Sequence, residues 1–91
     1  IERERNYMIS ELSKIDGIKV VSGDANFLFV DISETGLTSS ELADRLIKHH
    51  ILIRDCSTFT GLNSSYIRIA IKNHQENMLL ISTLKEIVMR K

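Results

Sequence analysis

Two arginines lie in extended, apolar stretches on either side of a short polar segment. Arg54 falls in Ile51-Leu52-Ile53-Arg54-Asp55-Cys56-Ser57, and Arg68 in Tyr66-Ile67-Arg68-Ile69-Ala70-Ile71. A guanidinium stays charged and must find acceptors or water, so a strand interior is a costly place for it. Two such groups close in sequence suggest a site for a bidentate anion. A carboxylate or a phosphate monoester fits the planar fork. The structural alternative is that each arginine snorkels to solvent or pairs with a nearby acid such as Asp55 or Asp31.

The other chemistry-bearing residues read as structural. His49 and His50 end a helical stretch, where imidazole can meet the last carbonyls. Adjacent histidines point apart on a helix and make poor joint metal ligands, so no metal site is expected. His74 should face solvent in the first turn of the last helix. Cys56 has no histidine placed locally to activate it and reads as a small hydrophobe or loop spacer. Asp55 should leave its strand on the face opposite Arg54 and act as a turn former. Glu2-Arg3-Glu4-Arg5 reads as a solvated helix face.

The elements that must position the arginines follow from periodicity. Tyr7, Met8, Leu12 and Ile15 recur at helical spacing within residues 1–15, and Gly17 suits a left-handed C-cap. Ile18 to Val21 reads as a short strand, Ser22-Gly23-Asp24 as a turn, and Ala25 to Ile32 as a strong strand. Thr38-Ser39-Ser40-Glu41 is a capping box, opening a helix to about His49 with Leu42, Ala43, Leu46 and Ile47 on its apolar stripe. Strands are expected over Ile51 to Asp55 and Tyr66 to Ile71, with a loop from Cys56 to Ser65 between them. A second capping box, Asn73-His74-Gln75-Glu76, opens a last helix with Leu79, Leu80, Leu84, Ile87 and Val88 to one side.

The order is therefore αββαββα. It predicts an α+β two-layer sandwich, a small and mainly antiparallel sheet with helices on one face. In the last strand Ile67, Ile69 and Ile71 should meet the helices, leaving Arg68 on the opposite face.

Composition bounds the rest. Ninety-one residues make a single domain, 1–91. Hydrophobic residues at 43% and charged residues at 26% are ordinary for a soluble globular chain. A net charge of zero, with no basic tract, gives no footprint for nucleic acid. No apolar run reaches the length of a membrane span. A lone cysteine rules out an internal disulfide and fits a reducing, cytoplasmic setting. The start at Ile1, already amphipathic and charged, reads as a cut within a longer protein.

Several separated segments together resemble a known family. They are Ala25-Asn26-Phe27-Leu28-Phe29-Val30, the Ile51 to Ser57 stretch, Phe59, Gly61-Leu62, Tyr66-Ile67-Arg68-Ile69-Ala70 and Glu76-Asn77. The chain resembles the C-terminal small domain of fold-type-I pyridoxal-phosphate enzymes. Within them it is similar to threonine-phosphate decarboxylases of cobalamin biosynthesis and to histidinol-phosphate aminotransferases. The Arg-Asp-Cys-Ser stretch with Phe59 and Gly61-Leu62 points to the decarboxylase branch.

The resemblance implies that Arg68 binds the substrate carboxylate or phosphate. It implies that Arg54 helps hold the same anionic end, and that Asn26 stands at the edge of the site. The loop from Cys56 to Ser65 would border the substrate entrance. It further implies a large pyridoxal-phosphate-binding domain in the same polypeptide, a phosphorylated amino-acid substrate, and a homodimer at full length. No catalytic or cofactor-binding residue is assigned to this segment, because none of its lysines sits in a Ser-x-x-Lys context before a glycine. L-threonine-O-3-phosphate decarboxylase is the first functional expectation, and a histidinol-phosphate aminotransferase-like enzyme the second. A free-standing α+β module that senses a small anion is an alternative of a different class.

Overall fold

The computed structural model describes residues 2–51, 53–55 and 65–90, with backbone alone at 54 and 55. The elements are α1 (Glu2–Ser13), β1 (Lys19–Gly23), β2 (Phe27–Asp31), α2 (Ser39–Ile47), β3 (Arg54–Asp55), β4 (Tyr66–Ala70) and α3 (His74–Arg90). A single 3-10 turn, Ser33–Thr35, lies between β2 and α2. The order is the expected αββαββα.

The four strands form one sheet in the order β1-β2-β4-β3. Every neighbouring pair is antiparallel. β2 and β3 therefore run parallel with β4 between them. Parallel strands need a long crossover, and α2 supplies it.

Why these segments form these elements is largely local. Thr38 Oγ1 accepts from the Glu41 N–H at 3.2 Å while Glu41 Oε1 accepts from the Thr38 N–H at 2.9 Å, closing the expected capping box. At α3 the box has a different partner. Asn73 Oδ1 accepts from the Glu76 N–H, but the Glu76 carboxylate takes the Asn73 side-chain amide. Gly17 adopts φ +85, but α1 ends at Ser13, so the glycine serves the Ile15–Ile18 turn, closed by the Ile18 N–H donating to Ile15 O, and is not the expected C-cap of the helix. His50 ends the α2 segment at φ 62, an uncommon conformation for a residue with a Cβ.

Several boundaries differ from the sequence reading. β1 starts at Lys19 and continues through Gly23, because Gly23 pairs with Leu28 and the reversal is made by Asp24 instead. The Asp24 carboxylate accepts from both the Asn26 and Phe27 N–H groups. A bulge between Val20 and Ser22 leaves Val21 exposed. β3 spans Arg54–Asp55 and does not begin at Ile51, whose N–H donates to Leu46 O at the end of α2. Asp55 is a ladder residue opposite Ile67 rather than a turn former. The Cys56 to Ser65 loop lies outside the described residues, apart from Ser65, whose carbonyl accepts from the Ile32 N–H at 2.7 Å.

One core joins all layers. Met8 and Leu12 of α1, Leu28 and Val30 of β2, Ile67 and Ile69 of β4, Leu42 and Leu46 of α2, and Leu80, Ile81, Leu84 and Val88 of α3 are buried together. Burying each such side chain contributes on the order of 1.5–3 kcal/mol relative to exposure. Two stripes are narrower than their periodicity implied. Ile47 and Leu79 are both 54% exposed. Among the described residues, no helix is long and apolar enough to cross a membrane.

Candidate functional site

Strand alternation divides the sheet into a covered and an open face. Leu28, Val30, Ile67 and Ile69 point into the core. Their neighbours Phe27, Phe29, Asp31, Tyr66, Arg68 and Ala70 are half-buried on the other side. Among the described residues, the helices of the core cluster lie on the covered face. Arg68 is partly covered on the open face, as alternation predicts.

Register brings the two arginine positions together. Arg68 is the direct partner of Arg54 on β3 and of Phe29 on β2. Opposed residues of an antiparallel pair share a face, so the backbone puts position 54 on the Arg68 side of the sheet. The Arg68 guanidinium carbon lies 4.2 Å from the centroid of the Phe27 ring. Phe27 pairs with Ala70, not with Arg68, so the side chain leans diagonally across to β2.

Asp31, the structural alternative as a partner for an arginine, is engaged elsewhere. Its carboxylate accepts from the Ser33 N–H at 2.8 Å. That backbone bond, seconded by the Ser33 hydroxyl, holds the Asp31 carboxyl below its ordinary value.

Asn26 stands at one end of the sheet. Its N–H donates to Asp24 Oδ1, and its carbonyl accepts from the Ile71 N–H at 2.8 Å, extending the β2–β4 ladder past Phe27. Arg68 therefore leans toward the Asn26 end, with Phe27 between the two. Positions 54 and 68 are adjacent across the ladder, whereas Asn26 is set off from them and sits in a bend rather than a strand.

A second group of residues, which sequence reasoning treated as surface, fixes the strand that carries Arg68. Asn77 is 1% exposed. Its Oδ1 accepts from the Lys72 N–H at 2.9 Å and its Nδ2 donates to the Lys72 carbonyl at 2.8 Å. Both backbone groups just beyond β4 are thus held by one side chain. Asn77 Nδ2 also donates to Glu4 Oε1 at 2.9 Å. His74 Nδ1 lies 3.0 Å from Glu4 Oε2, and the His74 ring sits 4.8 Å from that of Tyr7.

The first turn of α1 is therefore bound to the first turn of α3 and is not simply a solvated face. The Asn77 hydrogen bond, followed by that of His74, holds the Glu4 carboxyl below its ordinary value. A polar residue one position beyond a capping box, in an otherwise apolar helix face, was the sequence signal for Asn77. Phe27 carried no such signal, because its relation to Arg68 exists only in the register.

Comparison with known proteins places this geometry. No family model matches the chain. A histidinol-phosphate aminotransferase from Methanosphaera stadtmanae is 39% identical over 85 residues, which is 93% of this chain and 23% of that protein. The crystal structure of the histidinol-phosphate aminotransferase from Clostridium acetobutylicum superposes with a TM-score of 0.92 at 36% identity, covering 100% of this chain and 27% of that one. The L-threonine-O-3-phosphate decarboxylase of Porphyromonas gingivalis superposes at 0.89 and 31% identity, covering 99% of this chain and 27% of that one. The chain spans about a quarter of the length of each of these three proteins. Over nearly its whole length it is similar to the small-domain portion of the fold-type-I pyridoxal-phosphate enzymes that include histidinol-phosphate aminotransferase and threonine-phosphate decarboxylase.

Proposed function

We propose that the chain is the C-terminal small domain of a pyridoxal-phosphate enzyme acting on a phosphorylated amino acid or amino alcohol, and that Arg54 and Arg68 bind the substrate's anionic end. The observation that carries this reading is the direct cross-strand pairing of the two arginine positions on the open sheet face. Like charges placed opposite one another cost stability, and a shared anion offsets that cost. Asn26, at the end of the same ladder, forms the edge of the site. The remaining part of the site belongs to a large domain of the same polypeptide, packed on the open face. The reading carries with it a cytoplasmic homodimer.

The described residues do not fit a cradle for the cofactor itself. A lysine that captures an aldehyde must reach the neutral amine, usually through desolvation. Lys14 and Lys19 go the other way, since the hydrogen bonds they donate to Glu11 and Glu34 raise their values. Lys72 is exposed and paired with Glu76, and Lys48 and Lys85 are exposed. The role left to this domain is orientation. Holding the substrate anion fixes the rotation about its Cα bonds, and so selects which bond is positioned to break.

The branch within the family turns on that positioning. The Arg54-Asp55-Cys56-Ser57 stretch supports a threonine-phosphate decarboxylase. The 39% identity with a histidinol-phosphate aminotransferase supports a transaminase as the second reading. Assay of the full-length enzyme on threonine phosphate and on histidinol phosphate tests both. Turnover of neither, in an enzyme shown to bind pyridoxal phosphate, would overturn the proposal.

A further inference from the structure

We infer that Phe27 is a positioning residue for Arg68, and that Ala70 makes the arrangement sterically open; the inference rests on the proposed anion site. Three relations carry it. The guanidinium lies over the Phe27 ring at 4.2 Å. That ring is the register partner of Ala70, while the residue directly opposite Arg68 on β2 is Phe29. Arg54 is the register partner of Arg68 on the other side.

Arg68 thus has neighbours in two directions. Toward β3 stands a position of like charge. Toward β2 stands an aromatic face, whose negative quadrupole attracts a cation. The observed lean to β2 moves the guanidinium off the line between positions 54 and 68. A guanidinium carbon held over an aromatic ring keeps its N–H donors for bidentate contacts with an oxyanion.

The diagonal path also depends on what stands next to Phe27. Ala70 shares the open face with Arg68, two residues along the strand, and pairs with Phe27. A methyl group there leaves the Phe27 ring uncovered. A branched side chain at position 70 would compete with the guanidinium for that ring. Phe27 and Ala70 together therefore set where the Arg68 fork is aimed, and with it the span of anion the site accepts.

The test uses the full-length enzyme, with threonine phosphate and histidinol phosphate as probes. Phe27→Leu keeps an apolar side chain but removes the π face. It is expected to lower kcat/KM about 5- to 10-fold, with the larger part of the loss in KM. Phe27→Tyr and Phe27→Trp should stay within about twofold of the parent in both parameters. Ala70→Val should raise KM in the same sense as Phe27→Leu. In an Arg68→Ala background, Phe27→Leu should add nothing further, because its effect runs through the arginine.

An unchanged KM in Phe27→Leu, beside a damaged Arg68→Ala enzyme, overturns the positioning role and leaves the anion site standing. An unchanged Arg68→Ala enzyme overturns both. If Phe27→Leu unfolds the protein, the aromatic pair decides: equal loss of affinity in Phe27→Tyr and Phe27→Trp marks Phe27 as packing only.

Discussion

Arg54 and Arg68 are direct register partners across the β3–β4 ladder, and the Arg68 guanidinium leans away from that ladder onto Phe27. Like charges at opposed positions cost stability, and under the proposed anion site a bound anion would offset that cost. This pairing therefore predicts opposite effects on stability and on activity.

Replacing Arg54 with Gln should stabilise the domain by about 0.2–1 kcal/mol, by removing the opposed charge. In the full-length enzyme, Arg68→Ala should cost on the order of 3 kcal/mol in kcat/KM on the phosphorylated substrate, with Arg54→Ala costing less. Arg68→Lys should recover part of the loss, because a point charge cannot reproduce the fork. Urea unfolding and steady-state kinetics read the two sides. An Arg68→Ala enzyme with unaltered kcat/KM would mean that the anion is bound elsewhere.

Asn77 is expected to be the most sensitive polar position in α3. It is buried and makes hydrogen bonds to Lys72 N–H, Lys72 carbonyl and Glu4. Asn77→Ala leaves those groups unpaired and should cost about 2–3 kcal/mol. Asn77→Asp should be comparably damaging, since it sets a carboxylate against the Lys72 carbonyl and the Glu4 carboxylate. Chemical denaturation measures both. A change below about 0.5 kcal/mol would show that water replaces the clamp.

Gly23 is required by close approach rather than by its dihedral angles. A Cβ at this position would stand 2.5 Å from the Phe27 carbonyl oxygen and 2.8 Å from Leu28 Cδ2. Gly23→Ala should therefore destabilise by about 1–3 kcal/mol. Val21→Ala, at the exposed bulge nearby, should stay within about 0.5 kcal/mol. Thermal melts of the two variants make the comparison, and similar melting temperatures would contradict it.

Acid should weaken the fold through three named carboxylates. Glu4, held by Asn77, Asp31, held by Ser33, and Glu41, held by Thr38, all sit below their ordinary values. A depressed folded value means the stabilisation is fully present above the unfolded-state pKa. It is lost as the pH falls through the folded value. Stability should therefore be level near neutrality and fall below about pH 4.5. Glu41→Gln keeps an acceptor for the Thr38 N–H but does not titrate, so its acid limb should be shallower. Identical limbs in parent and variant would remove Glu41 from the account.

What the sequence determined by itself was local. The Thr38 to Glu41 box, the left-handed glycine at 17 and the alternation of Ile67 and Ile69 with Arg68 each rest on contacts within a few residues. Such contacts hold in almost any tertiary setting, so the element order and the open face of β4 were legible. So was the segmental resemblance that named Arg54, Arg68 and Asn26. Tertiary structure alone decided the sheet order β1-β2-β4-β3, which sets position 54 opposite Arg68. It also decided the diagonal contact of Arg68 with Phe27, and the union of Glu4 with Asn77 across 73 residues of sequence. The physical reason is that register and helix docking are fixed by burying Leu28, Val30, Ile67 and Ile69 under three helices at once, and no local pattern encodes that shared condition.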